Sequence, residues 1–120
     1  MQFSAKVNFI SFRRACIQDV EVWVKSKVKL SKAAKKGLES APPQCQRKFR
    51  FWTFSVETAG VVEAAKTGDF NDEVLKGKRK GQRSIRLNQG WRAIYTNRRE
   101  ADGSTVIELV EVQEVSNHDD

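Results

Sequence analysis

Histidine, cysteine and proline are scarce in this chain of 120 residues, which contains one histidine, two cysteines and two prolines. One histidine together with Cys16 and Cys45 cannot supply the four ligands of a structural zinc site, so we expect no metal and no cofactor. Two isolated cysteines also favour reduced thiols over a disulfide. The glycine spacing matches neither a Walker loop nor a dinucleotide-binding fingerprint, which removes both as options.

Long apolar runs are also missing. Hydrophobic residues make up 39% of the chain and charged residues 31%, and the uninterrupted apolar stretches are far too short to cross a bilayer. Residues 1–12 lack the charged-then-apolar order of a secretory signal. These absences favour a cytoplasmic protein without a membrane partner, and the length fits a single small domain.

Acidic residues are missing from one long segment. Residues 76–99 contain nine lysines and arginines and no acid, whereas residues 100–120 contain seven acids and neither Lys nor Arg. The whole chain carries a formal net charge of +7. Such a basic block favours a polyanionic partner, most commonly nucleic acid. Charge alone leaves mere solubility open as the alternative.

Alternation of apolar and polar residues predicts a half-buried strand over Val20–Leu30, with valines on even positions and mostly charged residues on odd ones. A weaker alternation over residues 2–10 predicts an additional edge strand, which leaves residues 12–18 as a connector. Ser31 is a good N-cap for a short helix over Lys32–Ser40.

A second helix is predicted to start at Pro43, because proline fits the first turn of a helix. Cys45, Phe49, Trp52 and Val56 recur at three- and four-residue steps and form its core-facing stripe. The two helices make an αα-hairpin, and a further turn or two is predicted after a stop at Gly60.

Strands are predicted over residues 83–88, 91–96 and 105–115, with a Gly- and Lys-rich loop before them and short turns between them. Because the helices come as a group between strands, the pattern indicates an α+β fold. We expect a small single domain whose antiparallel sheet carries the αα-hairpin on one face.

Two arginines on the predicted hairpin are candidates for binding phosphate. Alternation places Arg86 on the opposite face from Ile85, and Arg92 on the same face as Ile94. Arginines on adjacent strands can hold a phosphate with forked hydrogen bonds. The alternative is that both arginines pair with glutamates of the last strand, which are Glu108, Glu111 and Glu114.

Three segments, LKGKRKGQRSIRL at 75–87, WRAIY at 91–95 and VEVQEVSNHD at 110–119, resemble the RelE/ParE toxin superfamily. The HigB-like "killer protein" branch of type II toxin–antitoxin pairs is the nearest match. The resemblance is strong over residues 75–119, looser over residues 20–72 and absent before residue 19. It divides the chain into an extension at 1–18 and a RelE-like toxin domain at 19–120.

The resemblance implies a ribosome-dependent endoribonuclease that cleaves mRNA in the A site without a metal. It assigns stabilisation of the transition-state charge to Arg86 and Arg92, and general acid or base catalysis to His118, which Asp119 would orient. It further implies an RNA-binding group and an antitoxin partner, expected to be a small helix-turn-helix protein. The RNA-binding candidates are Lys76, Lys78, Arg79, Lys80, Arg83 and Trp91.

Each of these roles has a structural alternative. A histidine so close to a chain end is commonly a solvated side chain, a lysine loop can be a solvated turn, and Trp91 can serve sheet packing instead of base stacking. The sequence also departs from related chains, which commonly end in His-Asp-Tyr, since its last residue is Asp120. Two alternatives therefore stay open: a catalytically weakened toxin that still binds its antitoxin, and a non-enzymatic gyrase inhibitor of the ParE type.

Overall fold

The structure, a computed structural model, describes residues 12–117. These residues form six strands, three helices and one short 3-10 turn. The strands are β1 (Arg13–Ile17), β2 (Val20–Leu30), β3 (Glu73–Val74), β4 (Arg83–Arg86), β5 (Trp91–Asp102) and β6 (Thr105–Asn117); the helices are α1 (Lys32–Ser40), α2 (Pro43–Ala59) and α3 (Val61–Lys66), and the turn is Gly77–Arg79.

The strands join in one sheet in the order β1-β2-β6-β5-β4-β3. The predicted α+β class is confirmed, with one difference in detail: β2 and β6 run parallel, so the sheet is mixed. The helices carry the chain from β2 across the sheet to its far edge. The antiparallel strands β3 to β6 then return step by step, and β6 arrives beside β2 in the same direction.

The expectation of a connector at residues 12–18 is wrong, because Arg13–Ile17 is an antiparallel partner of β2. Gln18 and Asp19 connect the two strands with φ of 52° and 65°, the backbone of a tight hairpin turn. Gln-Asp lacks the glycine that usually marks such a turn, and this explains why the sequence pattern missed it. The predicted edge strand at residues 2–10 lies outside the described residues.

The helix predictions are confirmed. The Ser31 hydroxyl accepts a hydrogen bond from the Ala34 N–H at 3.0 Å and so caps α1, and Pro43 opens α2. The stripe of α2 is buried as predicted: Cys45, Phe49, Trp52 and Val56 all lie in the core. None of the helices in the described residues combines the length and apolar character needed to cross a membrane.

Helix and sheet meet in a core in which the Trp52 and Tyr95 rings lie 5.1 Å apart between centroids. The sheet contributes Ala93, Val110 and Val112 to the same cluster. Because side chains alternate along a strand, every second residue of β4 and β5 faces the helices and the others face away from them. In β6 a bulge opposite Ile94 and Tyr95 shifts the alternation by one residue, so that Val112 and Val115 both lie in the core. This alternation decides on which side of the sheet each candidate residue lies.

One buried carboxylate joins β6 to the start of α3 and to the N-terminal strand. Glu108 is 1% exposed, and its Oε1 accepts hydrogen bonds from Ser26 Oγ at 2.7 Å and from the Val61 N–H at 3.0 Å. The guanidinium groups of Arg13 and Arg99 lie 3.7 and 3.4 Å from its oxygens. Glu108 therefore caps α3 and holds β1 to the rest of the sheet.

Gly60, between α2 and α3, meets two separate demands. Its φ is +96°, a conformation that L side chains rarely adopt, and a Cβ there would lie 2.4 Å from Arg13 Nη2. We expect Gly60→Ala to lower the free energy of unfolding by about 1–3 kcal/mol in urea titrations. Part of that loss arises because displacing Arg13 breaks its 2.9 Å hydrogen bond to Ser26.

Gly68 provides the matched control for this substitution. Its φ is +80°, but a Cβ there would meet no atom within 4 Å, so Gly68→Ala measures the backbone cost alone. Equal losses for the two variants would show that the contact with Arg13 contributes nothing.

Candidate functional site

Arg86 and Arg92 are brought together by the strand register. They are directly opposite each other in the β4–β5 pair, and residues opposite each other in antiparallel strands project from the same face. That face is the one turned away from the helices, since Ala93 beside Arg92 lies in the core. Two like charges side by side disfavour each other, and an anion between them relieves that repulsion.

The acidic neighbour of this arginine pair is Glu73, which the sequence pattern did not predict. Glu73 Oε1 of β3 lies 3.8 Å from Arg92 Nη1, whereas Arg86 is exposed and has no ion-pair partner within residues 12–117. The alternative pairing with the glutamates of β6 is not observed. Those three carboxylates contact other arginines: Glu108 contacts Arg13 and Arg99, Glu111 contacts Arg98, and Glu114 contacts Arg79.

Arg83 lies on the other face of the sheet from Arg86, as alternation requires. Its Nε donates to Asp72 Oδ1 at 2.6 Å, and the Tyr95 hydroxyl donates to the second oxygen of the same carboxylate. The hydrogen bond to Asp72 raises the pKa of Arg83, and burial together with that carboxylate raises the pKa of Tyr95 well above its ordinary value. Arg83 is thus anchored in the protein through its Nε, while its side chain stays 35% exposed; its role as an RNA ligand stays a prediction.

The anchor of Arg83 also fixes the edge of the sheet. Asp72, whose side chain is 1% exposed, precedes Glu73, and β3 has only two residues paired with β4. The contacts of Asp72 with Arg83 and Tyr95 hold this short strand in register. They therefore determine where Glu73 stands relative to Arg92. Nothing in the local sequence pattern signals this role for Asp72.

The lysine loop lies on the same face as the arginine pair. Arg79 Nη2 contacts Glu114 Oε1 at 2.9 Å, and Glu114 shares its face with Ser116, the residue opposite Arg92. Arg79 therefore secures the loop to β6. The three lysines of the loop are exposed, and within residues 12–117 they make no ion pair: Lys76, Lys78 and Lys80.

Trp91 lies at the end of the sheet where the described chain stops. It is opposite Asn117 and lines a cleft of about 390 Å³ together with Gln44 and the turn at residues 88–90. Trp91 projects to the helix side, where it is partly buried and packs against the core. His118, bonded to Asn117, lies outside the described residues, as do Asp119 and Asp120.

Metal ligands do not gather in the part of the chain that the structure describes. No group of three or more His, Cys, Asp or Glu residues in positions 12–117 is arranged to hold an ion. The candidate site presents guanidinium and ammonium groups, which can stabilise phosphoryl charge directly.

Comparison with known proteins identifies the fold. No protein-family model and no curated protein sequence matches the chain. Among solved structures, YafQ from E. coli BL21(DE3) has a TM-score of 0.56 at 14% identity, over 78% of this chain and 93% of its own. The YoeB dimer of Staphylococcus aureus has a TM-score of 0.55 at 19% identity, over 79% and 99%.

A third solved structure contains the partner of such a protein. The E. coli DinJ–YafQ toxin–antitoxin complex has a TM-score of 0.56 at 16% identity, over 78% of this chain and 93% of the matched one. YafQ and YoeB are toxins of the RelE/ParE superfamily. The chain thus has the fold of that superfamily, as its sequence resemblance implies, while the HigB-like branch stays a prediction.

Proposed function

We propose that this protein is the toxin of a type II toxin–antitoxin pair and that it cleaves mRNA in the ribosomal A site. The observation that carries the proposal is the cross-strand pair of Arg86 and Arg92, which a RelE-like fold presents on the sheet face away from its helices. One of the two has no ion-pair partner in the described chain. The other, Arg92, forms an ion pair at 3.8 Å with the exposed carboxylate of Glu73, and a phosphate can displace that carboxylate.

The chemistry assigned to this pair is attack by a ribose 2′-hydroxyl on the adjacent phosphorus. A bond forms between the 2′-oxygen and phosphorus while the bond to the 5′-oxygen breaks, which leaves a 2′,3′-cyclic phosphate and a 5′-hydroxyl. One proton leaves the 2′-oxygen and another reaches the 5′-oxygen, so the step needs a base and an acid. The forked donors of Arg86 and Arg92 stabilise the extra charge on the phosphoryl oxygens.

His118 is the residue that we assign to proton transfer, because an imidazole titrates near neutral pH. It follows Asn117, whose neighbour Ser116 is opposite Arg92, so the chain enters its last residues beside the arginine pair. Asp119 is assigned to orient the imidazole. In this proposal Trp91 stacks on a base that reaches the cleft at the end of the sheet, because its ring lies on the helix side and not on the face of the arginine pair. Such stacking would compensate for Asp120, where related chains carry a tyrosine.

The remaining cations are assigned to binding rather than to catalysis. Lys76, Lys78 and Lys80 are exposed beside the arginine pair, and a flexible lysine contacts phosphate as a point charge. They would hold mRNA and ribosomal RNA. The contribution of Arg79 is to fix the loop through Glu114. Arg83, bound to Asp72, acts from the opposite face by holding β3 and β4 in register.

The test adds the purified chain to programmed ribosomes and maps the 5′ ends of the mRNA by primer extension. We expect cuts within the A-site codon when ribosomes are present and none on free mRNA.

The other outcomes separate the remaining alternatives. Cleavage that appears only in Asp120→Tyr would identify a catalytically weakened toxin, since that substitution restores the terminal residue of related chains. The absence of cuts for both proteins, together with inhibition of gyrase supercoiling, would overturn the nuclease proposal in favour of a non-enzymatic toxin.

A further inference from the structure

The outward face of α2 carries an apolar stripe that the rest of the described chain leaves open. Phe51 and Phe54 are 55% and 64% exposed. They lie one helical turn apart, on the side of α2 opposite to its buried stripe, because each is offset by about half a turn from the core positions. The Phe51 ring stays this exposed although it lies against the buried Phe70, with ring centroids 5.8 Å apart.

The same face of α2 is positively charged. Arg47 and Arg50 precede the two phenylalanines at helical spacing and share their stripe. Both arginines are exposed, and neither makes an ion pair within residues 12–117. The single acid of α2, Glu57, is exposed at the edge of the stripe, three residues after Phe54, and the two arginines outnumber it. A ligand for this surface must therefore supply apolar groups for the rings and negative charges for the guanidinium groups.

We infer that this stripe, Arg47-Arg50-Phe51-Phe54, is the docking surface for an acidic amphipathic segment of a protein partner, which under the proposed function is the antitoxin. A helix or extended segment with apolar residues flanked by Asp or Glu matches both features of the stripe. The inference rests on the proposed function only for the identity of the partner. The surface itself is defined by burial and charge.

Other occupants fit the stripe less well. A second copy would bring the same cations face to face, which costs binding free energy. Residues 1–11 of this chain contain one lysine and no acid, so they offer nothing to the arginines. RNA offers phosphate to Arg47 and Arg50 and bases that can stack on the two rings, so the experiment below includes a single-stranded RNA.

The experiment titrates the full chain into a fluorescein-labelled helical peptide of about 20 residues that has leucine on one face and glutamate elsewhere. Fluorescence anisotropy should show binding that weakens about tenfold or more in F51S/F54S, because apolar anchors dominate such interfaces. We expect binding of the wild-type chain to weaken with added salt, and we expect R47E/R50E to abolish binding. The matched control K32E/K35E, on α1, should bind like the wild type.

Three results would overturn the inference. The first is a wild-type chain that does not bind the peptide, and the second is peptide binding that F51S/F54S leaves unchanged. The third is a loss of binding in K32E/K35E equal to that in R47E/R50E, which would mean unspecific attraction of charge. A leucine-scrambled peptide of the same composition should bind weakly, and equal binding would count against the stripe. Self-association that F51S/F54S removes would assign the surface to a second copy, and a single-stranded RNA whose binding needs the two phenylalanines would assign it to RNA.

The ribosome assay keeps this inference separate from the proposed function. F51S/F54S should cleave A-site mRNA at the wild-type rate, because α2 lies on the opposite side of the sheet from Arg86 and Arg92. Peptide binding without any cleavage would refute the nuclease alone. Cleavage without peptide binding would refute the docking surface alone.

Discussion

The double variant Arg86→Ala, Arg92→Ala is expected to lose about a thousandfold of its ribosome-dependent cleavage rate, since one donor to a developing oxyanion is worth 10² to 10³ in rate by itself. The loss should appear in single-turnover cleavage at saturating ribosomes, because the pair acts on transition-state charge. Arg92→Lys should recover little of the rate, since an ammonium lacks the forked donors of a guanidinium.

The matched control is Arg98→Ala. Arg98 stands on the same strand and the same face as Arg92, about 20 Å further along β5, and pairs with Glu100 and Glu111. Its replacement should leave cleavage unchanged. The double variant should also unfold near the wild-type urea concentration, because Arg86 has no ion-pair partner within residues 12–117 and Arg92 has only a surface pair with Glu73 at 3.8 Å. A loss of cleavage that Arg98→Ala reproduces would mean that the site requires only positive charge, and the paired arginines would lose their assigned role.

Much of the fold was predictable because its signals are local. The alternation of Val20–Leu30, the Ser31 cap and the core stripe of α2 each lie within a few residues, and each is observed. The parallel pairing of β2 with β6 was not predictable from periodicity, because it depends on where the helical crossover returns the chain. The strand β1 was missed because a Gln-Asp turn carries no glycine signal.

The candidate site was predictable only in its strand residues. Alternation correctly separated Arg86 from Ile85, and the register then brought Arg86 opposite Arg92. The roles of Glu73 and Asp72 could not be predicted, because they depend on an edge strand of two residues, which is too short to show an alternation of apolar and polar residues. The resemblance implies Arg83 as an RNA ligand, whereas its anchoring by Asp72 is a tertiary contact that sequence spacing does not encode.

The largest effect on stability is expected from the carboxylate of Glu108. Glu108→Ala removes the acceptor of the Val61 N–H and of Ser26 Oγ, and it leaves Arg13 and Arg99 without their buried counter-charge. Breaking a buried pair by removing one partner costs 3–5 kcal/mol. Because both arginines are partly exposed and can turn to water, we expect a loss of about 3 kcal/mol, measured as the shift of the urea midpoint at constant m-value.

Two further variants on β6 decide whether burial or charge produces that loss. Glu111→Ala removes an exposed carboxylate that lies 3.6 Å from Arg98, and surface pairs of this kind contribute up to about 1 kcal/mol. Glu108→Gln keeps an oxygen for Val61 and Ser26 while removing the charge, so its loss should fall between the other two. If Glu108→Ala and Glu111→Ala lower the free energy of unfolding equally, the buried carboxylate neither caps α3 nor holds β1.

A double-mutant cycle of Glu108→Ala with Arg13→Ala tests alone whether the carboxylate holds β1, because Arg13 is the residue through which β1 reaches Glu108.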